Sequence, residues 1–169
     1  MMEFRKAVPQ DLDQIMRIVE QARALFRESG IPQWQNGYPN AQSIQQDIDN
    51  GWSWVLCAQG KVCAIAAIVL QPDPNYAEIE GKWLWDGPYA AIHRVAVDGS
   101  FKKQGLASRM VEEAAALASK MGRGSLRCDT HEVNRPMRGM LEKNGFQLCG
   151  KIYLLDDNHA PRVVYERLL

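Results

Sequence analysis

An apolar strand over Tyr89–Val97, an amphipathic helix over residues 104–121 and a second apolar strand over Ser125–Thr130 follow one another with only short polar turns between them. This succession constrains the fold more than any other feature of the chain. A strand, a crossover helix and a second strand of the same sheet form a parallel pair with a right-handed connection. The helix declares its buried face through Ala107, Met110, Val111, Ala114, Leu117, Ala118 and Met121, and Gly122 stops it.

The flanking segments read as antiparallel. Glu3 to Val8 forms a short strand, and Pro9 opens a helix whose apolar positions run from Leu12 to Phe26 before Gly30 ends it. A turn-rich segment, Ile31 to Asn40, holds Trp34 and Tyr38, and a short helix follows over Ala41–Asn50. Trp52–Ala58 and Val62–Leu70 form a hairpin about Gln59-Gly60-Lys61. Gln71 to Asn75 breaks the chain, and Tyr76–Trp85 is either a further strand or a loop. Asn134 caps a helix with Pro136 in its first turn and Gly145 at its end. Phe146–Leu155 and Val163–Leu168 pair around Asp156-Asp157-Asn158. The expected product is one domain over residues 1–169, an α/β (α+β) fold with a mixed sheet and helices on both faces.

The turn after Val97 carries chemistry. Gly99, Ser100, Lys102, Lys103 and Gly105 lead straight into the helix. A strand feeding such a turn gathers backbone N–H groups at the positive end of a helix, which is an anion site. A pyrophosphate is the natural anion for it. Neither the Walker string nor the dinucleotide Gly-x-Gly-x-x-Gly occurs.

Bulk charge adds no second partner. Twenty basic and twenty acidic residues cancel, which argues against nucleic acid. The longest apolar run, Val62–Leu70, is too short to span a membrane. The start of the chain lacks the apolar core of a signal peptide, and the four cysteines contain no Cys-x-x-Cys pair. Reduced, buried thiols and a cytoplasmic location are expected, with no metal.

Lys102-Lys103-Gln104-Gly105-Leu106-Ala107 after a Val-x-Val strand end resembles motif A of the GNAT N-acetyltransferase superfamily, [Arg/Gln]-x-x-Gly-x-[Gly/Ala], with Lys102 departing at the first place. Asn134 followed eleven residues later by Gly145-Phe146, with Leu141-Glu142-Lys143-Asn144 before it, resembles motif B. The resemblance covers essentially the whole chain. It implies a mostly antiparallel seven-stranded sheet with a central parallel β-α-β unit and splayed central strands. It implies acetyl-CoA as co-substrate, with the pantetheine arm along Val95, Ala96 and Val97 and the pyrophosphate on residues 103–107. Ser108 would add a hydroxyl there, and Asn134 would contact the pantetheine arm by its side-chain amide. A homodimer is common among similar proteins. The family often places a proton-donating Tyr where this chain has Leu141, so that role does not carry over.

Acetyl transfer to an amine requires the amine to shed a proton, since an ammonium of pKa about 10 has no lone pair. The base candidates are Glu80, with Glu78 nearby, and His93, which strict alternation puts on the side of Val95 and Val97. Asp129 and His131 end the other splayed strand, where open sheets meet their ligands. Tyr153 and Tyr89 are candidate acids, and His159 reads as surface. Trp34 and Tyr38 border the acceptor by resemblance, and aromatics suit a cationic amine; a core plug is the plainer role for Trp34. The acceptor is an amine on a small molecule or a peptide. The leading expectation is an N-acetyltransferase acting by direct attack without a covalent enzyme intermediate. The alternatives are an acyl-CoA-binding sensor or pseudoenzyme, and an adaptor.

Overall fold

The computed structural model describes residues 1–169. Two compact units interleave in sequence: Met1–Ile68 with Arg94–Met110, and Val69–His93 with Val111–Leu169.

In the first unit, β1 (Met2–Lys6), β2 (Ser53–Ala58) and β3 (Lys61–Val69) pair antiparallel in sequence order. The β2–β3 turn places Gln59 at φ 51° and Gly60 at φ 78°, the two left-handed residues that match the strand twist. The first strand ends before Val8 because the Val8 N–H turns to Asp11 Oδ2 at 2.8 Å. Helices α1 (Leu12–Glu28) and α2 (Ala41–Asp49) pack Ile15, Ile18, Val19, Ile44 and Ile48 onto Val55 and Ile65. Asn40 caps α2 reciprocally, its Oδ1 accepting from Ser43 N while its own N–H donates to Ser43 Oγ, both at 2.9 Å.

The second unit holds β4 (Glu80–Gly81), β6 (Ser125–Thr130), β7 (Gln147–Tyr153), β8 (Pro161–Leu168) and α4 (Arg135–Lys143). Strand β5 (Tyr89–Val97) and helix α3 (Leu106–Lys120) contribute to both units. The strand order is β1-β2-β3-β5-β6-β8-β7-β4, giving eight strands where seven were expected. The extra one is β4, whose two residues are too short to show alternation in sequence.

The parallel pair is short. Tyr89, Ala90 and Ala91 pair with Ser125, Leu126 and Arg127, and the register stops there although β6 runs on to Thr130. Ile92 and His93 therefore leave the ladder beside Cys128 and Asp129. On the β6–β8 register Arg127 faces Glu166 and Asp129 faces Val164. Directly paired residues share a face, and the face repeats every second residue, so Arg127, Asp129, Arg162, Val164 and Glu166 lie on one side. The opposite side is covered by helices: Arg138 Nε of α4 donates to Tyr165 Oη at 2.8 Å, and Arg167 pairs with Glu112 of α3 at 2.7 Å.

Residues 71–88 cover the first face. Tyr76 packs with Ala91, Ile152 and Val164. At the far end the buried Glu166 carboxylate accepts from Leu84 N at 2.5 Å, Trp85 N at 3.0 Å, Ser125 Oγ at 2.7 Å and Arg127 Nε at 2.6 Å. The Arg127 guanidinium lies between the rings of Trp83 and Tyr89, at 4.0 and 3.9 Å. A buried charge pair tolerates its desolvation only when its remaining donors and acceptors are filled, as here.

Candidate active site

The turn before α3 is held by the side chains of Asp98 and Gln21. Asp98 accepts from Ser100 N at 2.8 Å, and Gly99 N donates to Gln21 Oε1 at 2.7 Å. Lys103 (φ 62°) and Gly105 (φ 75°) are left-handed, which delays the helix to Leu106 instead of residue 104. The first bond into the helix runs from Arg109 N to Gly105 O at 2.9 Å, so the Leu106 and Ala107 amides lack intrahelical acceptors. No atom lies within 4 Å of where a Cβ on Gly105 would point. Lys102, Lys103, Gln104 and Gly105 are exposed, Ala107 and Ser108 half-buried, and Leu106 anchors the helix start in the interior. The turn thus sets two helix-start amides beside two exposed lysines, with open space at Gly105.

Above this turn Ala96 is buried, and Val95 and Val97 are half-buried. Arg94 is left-handed at φ 57° inside the strand. The alternation used to align His93 with Val95 and Val97 is therefore interrupted at Arg94. Its guanidinium bonds the Asp47 carboxylate and the Tyr38 hydroxyl and lies 5.0 Å from the Tyr38 ring centre. The Tyr38 ring thus already faces a cation of its own chain. Trp34 packs against the α1–α2 core edge-on to Phe26 at 5.4 Å, and its carbonyl accepts from Arg23 Nε at 2.9 Å. It is half-buried at the edge of that core.

The second unit assembles a titratable group around the end of the parallel pair. His93 Nε2 stands 3.3 Å from Asp73 Oδ2, and Nδ1 stands 3.7 Å from Asp129 Oδ1. Tyr76 Oη donates to that same Asp129 oxygen at 2.6 Å. Asp73 is fixed from three directions. Its N–H donates to Tyr89 Oη at 2.7 Å, while its Oδ1 accepts from Asn75 N at 2.9 Å and Asn75 Nδ2 at 3.2 Å. Burial works to raise the Asp73 pKa, but the bonds from His93 and Asn75 outweigh it and leave the carboxyl below its usual range. Tyr76 is buried, and burial followed by the Asp129 charge pushes its hydroxyl well above the usual value. It is a fixed donor, not a base.

Further along the same face stand His131 and Arg162. Burial first, then the Arg162 charge, lowers His131 to about 4, so its imidazole is neutral near pH 7. Burial also lowers Arg162, against the pull of Asp129 and Asp157.

Glu80 is exposed on β4, bonded by Tyr153 Oη at 3.3 Å, and β6, β8 and β7 lie between β4 and β5. It does not join the His93 group; Glu78 is exposed as well. Asn134 is buried and caps α4, Oδ1 accepting from Met137 N at 3.2 Å. Leu141 is fully buried within α4. Sequence reasoning missed Asp73, Tyr76 and Arg162. Asp73 before Pro74 reads as a turn cap, which it also is, and nothing local distinguishes a cap from a site residue.

The class of the protein follows from comparison with known proteins. The model of the acetyltransferase (GNAT) family matches residues 19–146. An acetyltransferase of the GNAT family from Streptococcus agalactiae is 37% identical, with a TM-score of 0.84 over 99% of this chain and 95% of that one. The PaiA N-acetyltransferase of Thermoplasma acidophilum, solved in complex with coenzyme A, has 15% identity and a TM-score of 0.72 over 100% and 99% of the two chains. The ribosomal-protein-S18-alanine N-acetyltransferase of Escherichia coli has 17% identity and a TM-score of 0.67 over 99% and 94%. No curated protein matches the chain in sequence. The chain belongs to the GNAT acetyltransferase family, and it is an acyltransferase of that family. No helix is long and apolar enough to cross a membrane.

Proposed function

We propose that the chain transfers the acetyl group of acetyl-CoA to a primary amine, with His93 as general base. The observation that carries this reading is the placing of His93 between Asp73 and Asp129 where the parallel ladder ends. The amine arrives as an ammonium, and Asp129, held by Tyr76, receives it. To act as base the ring carries its one proton on Nε2, toward Asp73, and offers the Nδ1 lone pair. Nδ1 takes the ammonium proton, and the two carboxylates stabilise the imidazolium that results. The freed nitrogen attacks the thioester carbonyl and forms the new C–N bond; the tetrahedral adduct gives its second N–H proton to solvent as the C–S bond breaks, and the thiolate leaves to be protonated from solvent. No covalent enzyme intermediate is needed.

The turn over residues 102–107 is the proposed diphosphate cradle, with Ser108 beside it. The open space at Gly105 and the amides of Leu106 and Ala107 support this. In the same reading Val95, Ala96, Val97 and Asn134 line the pantetheine arm. A reducing, cytoplasmic setting suits the four free thiols.

The test is thiol release from acetyl-CoA against a panel of amines, beside a calorimetric titration with CoA. Turnover above background supports the reading. CoA binding without thiol release for every amine overturns acetyl transfer, and a flat titration overturns the cradle.

A further inference from the structure

Arg162 sits on β8 on the same side of the sheet as Asp129, because Asp129 pairs with Val164 and Arg162 lies two residues further along. Two strand steps separate the two positions by roughly 7 Å along the strand. The Arg162 side chain is 13% exposed. A guanidinium has five N–H donors. Nη1 donates to the residue's neighbouring carbonyl, Pro161 O, at 2.8 Å. Its ion pair with Asp157 is long, with Oδ2 3.7 Å from Nη2 and beyond hydrogen-bond reach, and Asp129 pulls on it from further off. Asp157 belongs to a hairpin loop in which Asp157, Asn158 and His159 are left-handed in succession, at φ 54°, 56° and 55°. Buried charges in proteins are as a rule paired. This one is largely withdrawn from water and has no carboxylate within hydrogen-bond distance. His131 beside it is neutral near pH 7 and adds no positive charge of its own.

We propose that Arg162 receives a carboxylate of the acceptor, so that the acceptor is a small amino-acid-like zwitterion whose amine reaches Asp129 and His93. This rests on the acetyl-transfer reading above. Opposite charges of the ligand meet opposite charges of the sheet face, in an orientation that points the amine at the base. A bidentate guanidinium–carboxylate bond also fixes the plane of the acceptor. Simple diamines and polyamines carry no group for Arg162 and are poor acceptors.

The experiment uses matched pairs of amines, each an amino acid and its carboxamide, with acetyl-CoA and the full chain, read as thiol release. The wild type is expected to favour the acid over the amide by about 10- to 100-fold in kcat/KM, chiefly through KM, the range of a charge-assisted hydrogen bond. Arg162→Gln brings that ratio close to one, and Arg162→Lys restores part of it. Equal use of acid and amide by the wild type overturns the proposal, as does a ratio unchanged in Arg162→Gln. A cation here could instead serve a phosphate of the coenzyme. Weakened CoA binding in Arg162→Gln, with the acid-to-amide ratio kept, would assign it there and overturn the proposal. If no amine releases thiol, the transfer reading falls, and Arg162 is judged by calorimetry of the amino acid against its amide in the presence of CoA. Tighter binding of the acid, lost in Arg162→Gln, then supports the proposal, and equal binding overturns it.

Discussion

Tyr76 and Asp129, 53 residues apart in sequence, meet through a 2.6 Å hydrogen bond in which the buried phenol donates to the carboxylate beside His93. The bond ties the segment that covers the sheet to the strand that ends at the reacting groups. It also sets the direction of Asp129, since one of its oxygens serves both Tyr76 and His93. Tyr76→Phe keeps the packing and removes the donor. It is expected to lower kcat by about tenfold and to cost roughly 1–3 kcal/mol in denaturant unfolding, the range for a carboxylate left without its buried partner. CoA affinity, measured by calorimetry, should hold.

The base assignment separates His93 from Glu80. His93→Ala should reduce turnover by about 10²- to 10⁴-fold, the usual contribution of a positioned base. Glu80→Gln should change it by less than about twofold, because Glu80 lies exposed on the edge strand. The reverse ranking in a thiol-release assay would transfer the role to Glu80.

Gly105→Ala tests the cradle. The residue is left-handed at φ 75°, so the methyl costs about 1 kcal/mol of backbone strain. It meets no protein atom, and the space it enters is the space assigned to the diphosphate. CoA affinity should fall by about tenfold or more, with a small loss in the thermal midpoint. Unchanged affinity would remove the diphosphate from this turn.

His131 predicts a pH dependence of stability. Its folded value, about 4, lies below the ordinary 6.5, so between these limits the unfolded chain binds more protons than the folded one. The neutral ring's contribution is complete above pH 6.5 and is lost as the pH falls towards 4. Because the ring is partly solvated, the effect is on the order of 1 kcal/mol. Urea midpoints at pH 7 and pH 5 should converge in His131→Gln relative to wild type.

Glu166→Ala leaves the Arg127 guanidinium and two backbone amides without their acceptor in a buried setting. A loss of about 3–5 kcal/mol is expected on unfolding. Hydrogen exchange at Leu84 and Trp85 should accelerate in the variant.

Much of this fold was legible because period and punctuation agree. Strand β5, the helix after it and β6 stand where alternation, apolar spacing and Gly122 put them, and Asn134 caps α4 as its residue type implies. Motif spacing likewise led to the turn at Gly105. The candidate base was only half legible. His93 was named from its strand, and Asp129 from the strand end, but their meeting depends on where a three-pair ladder stops. Asp73 and Tyr76 come to His93 through a chain reversal whose local pattern records only a proline turn. Arg94 shows the limit of alternation: one left-handed residue inside a strand breaks a periodic argument, and its side chain gave no sign of it. Tyr38 was read as facing an incoming amine, and the guanidinium that lies against it comes from a strand 56 residues away.

Besides the Tyr76 bond, the segment over the sheet is fastened towards its two ends, by the Glu166 carboxylate at Leu84 and Trp85 and by the Tyr89 hydroxyl at Asp73. Neither the Glu166 nor the Tyr89 fastening uses a reacting atom. With Tyr76 kept, exchanging the other residues between those moorings can therefore reshape what lies over the sheet while His93, Asp73 and Asp129 keep their places, which gives such a scaffold a cheap route from one acceptor to another.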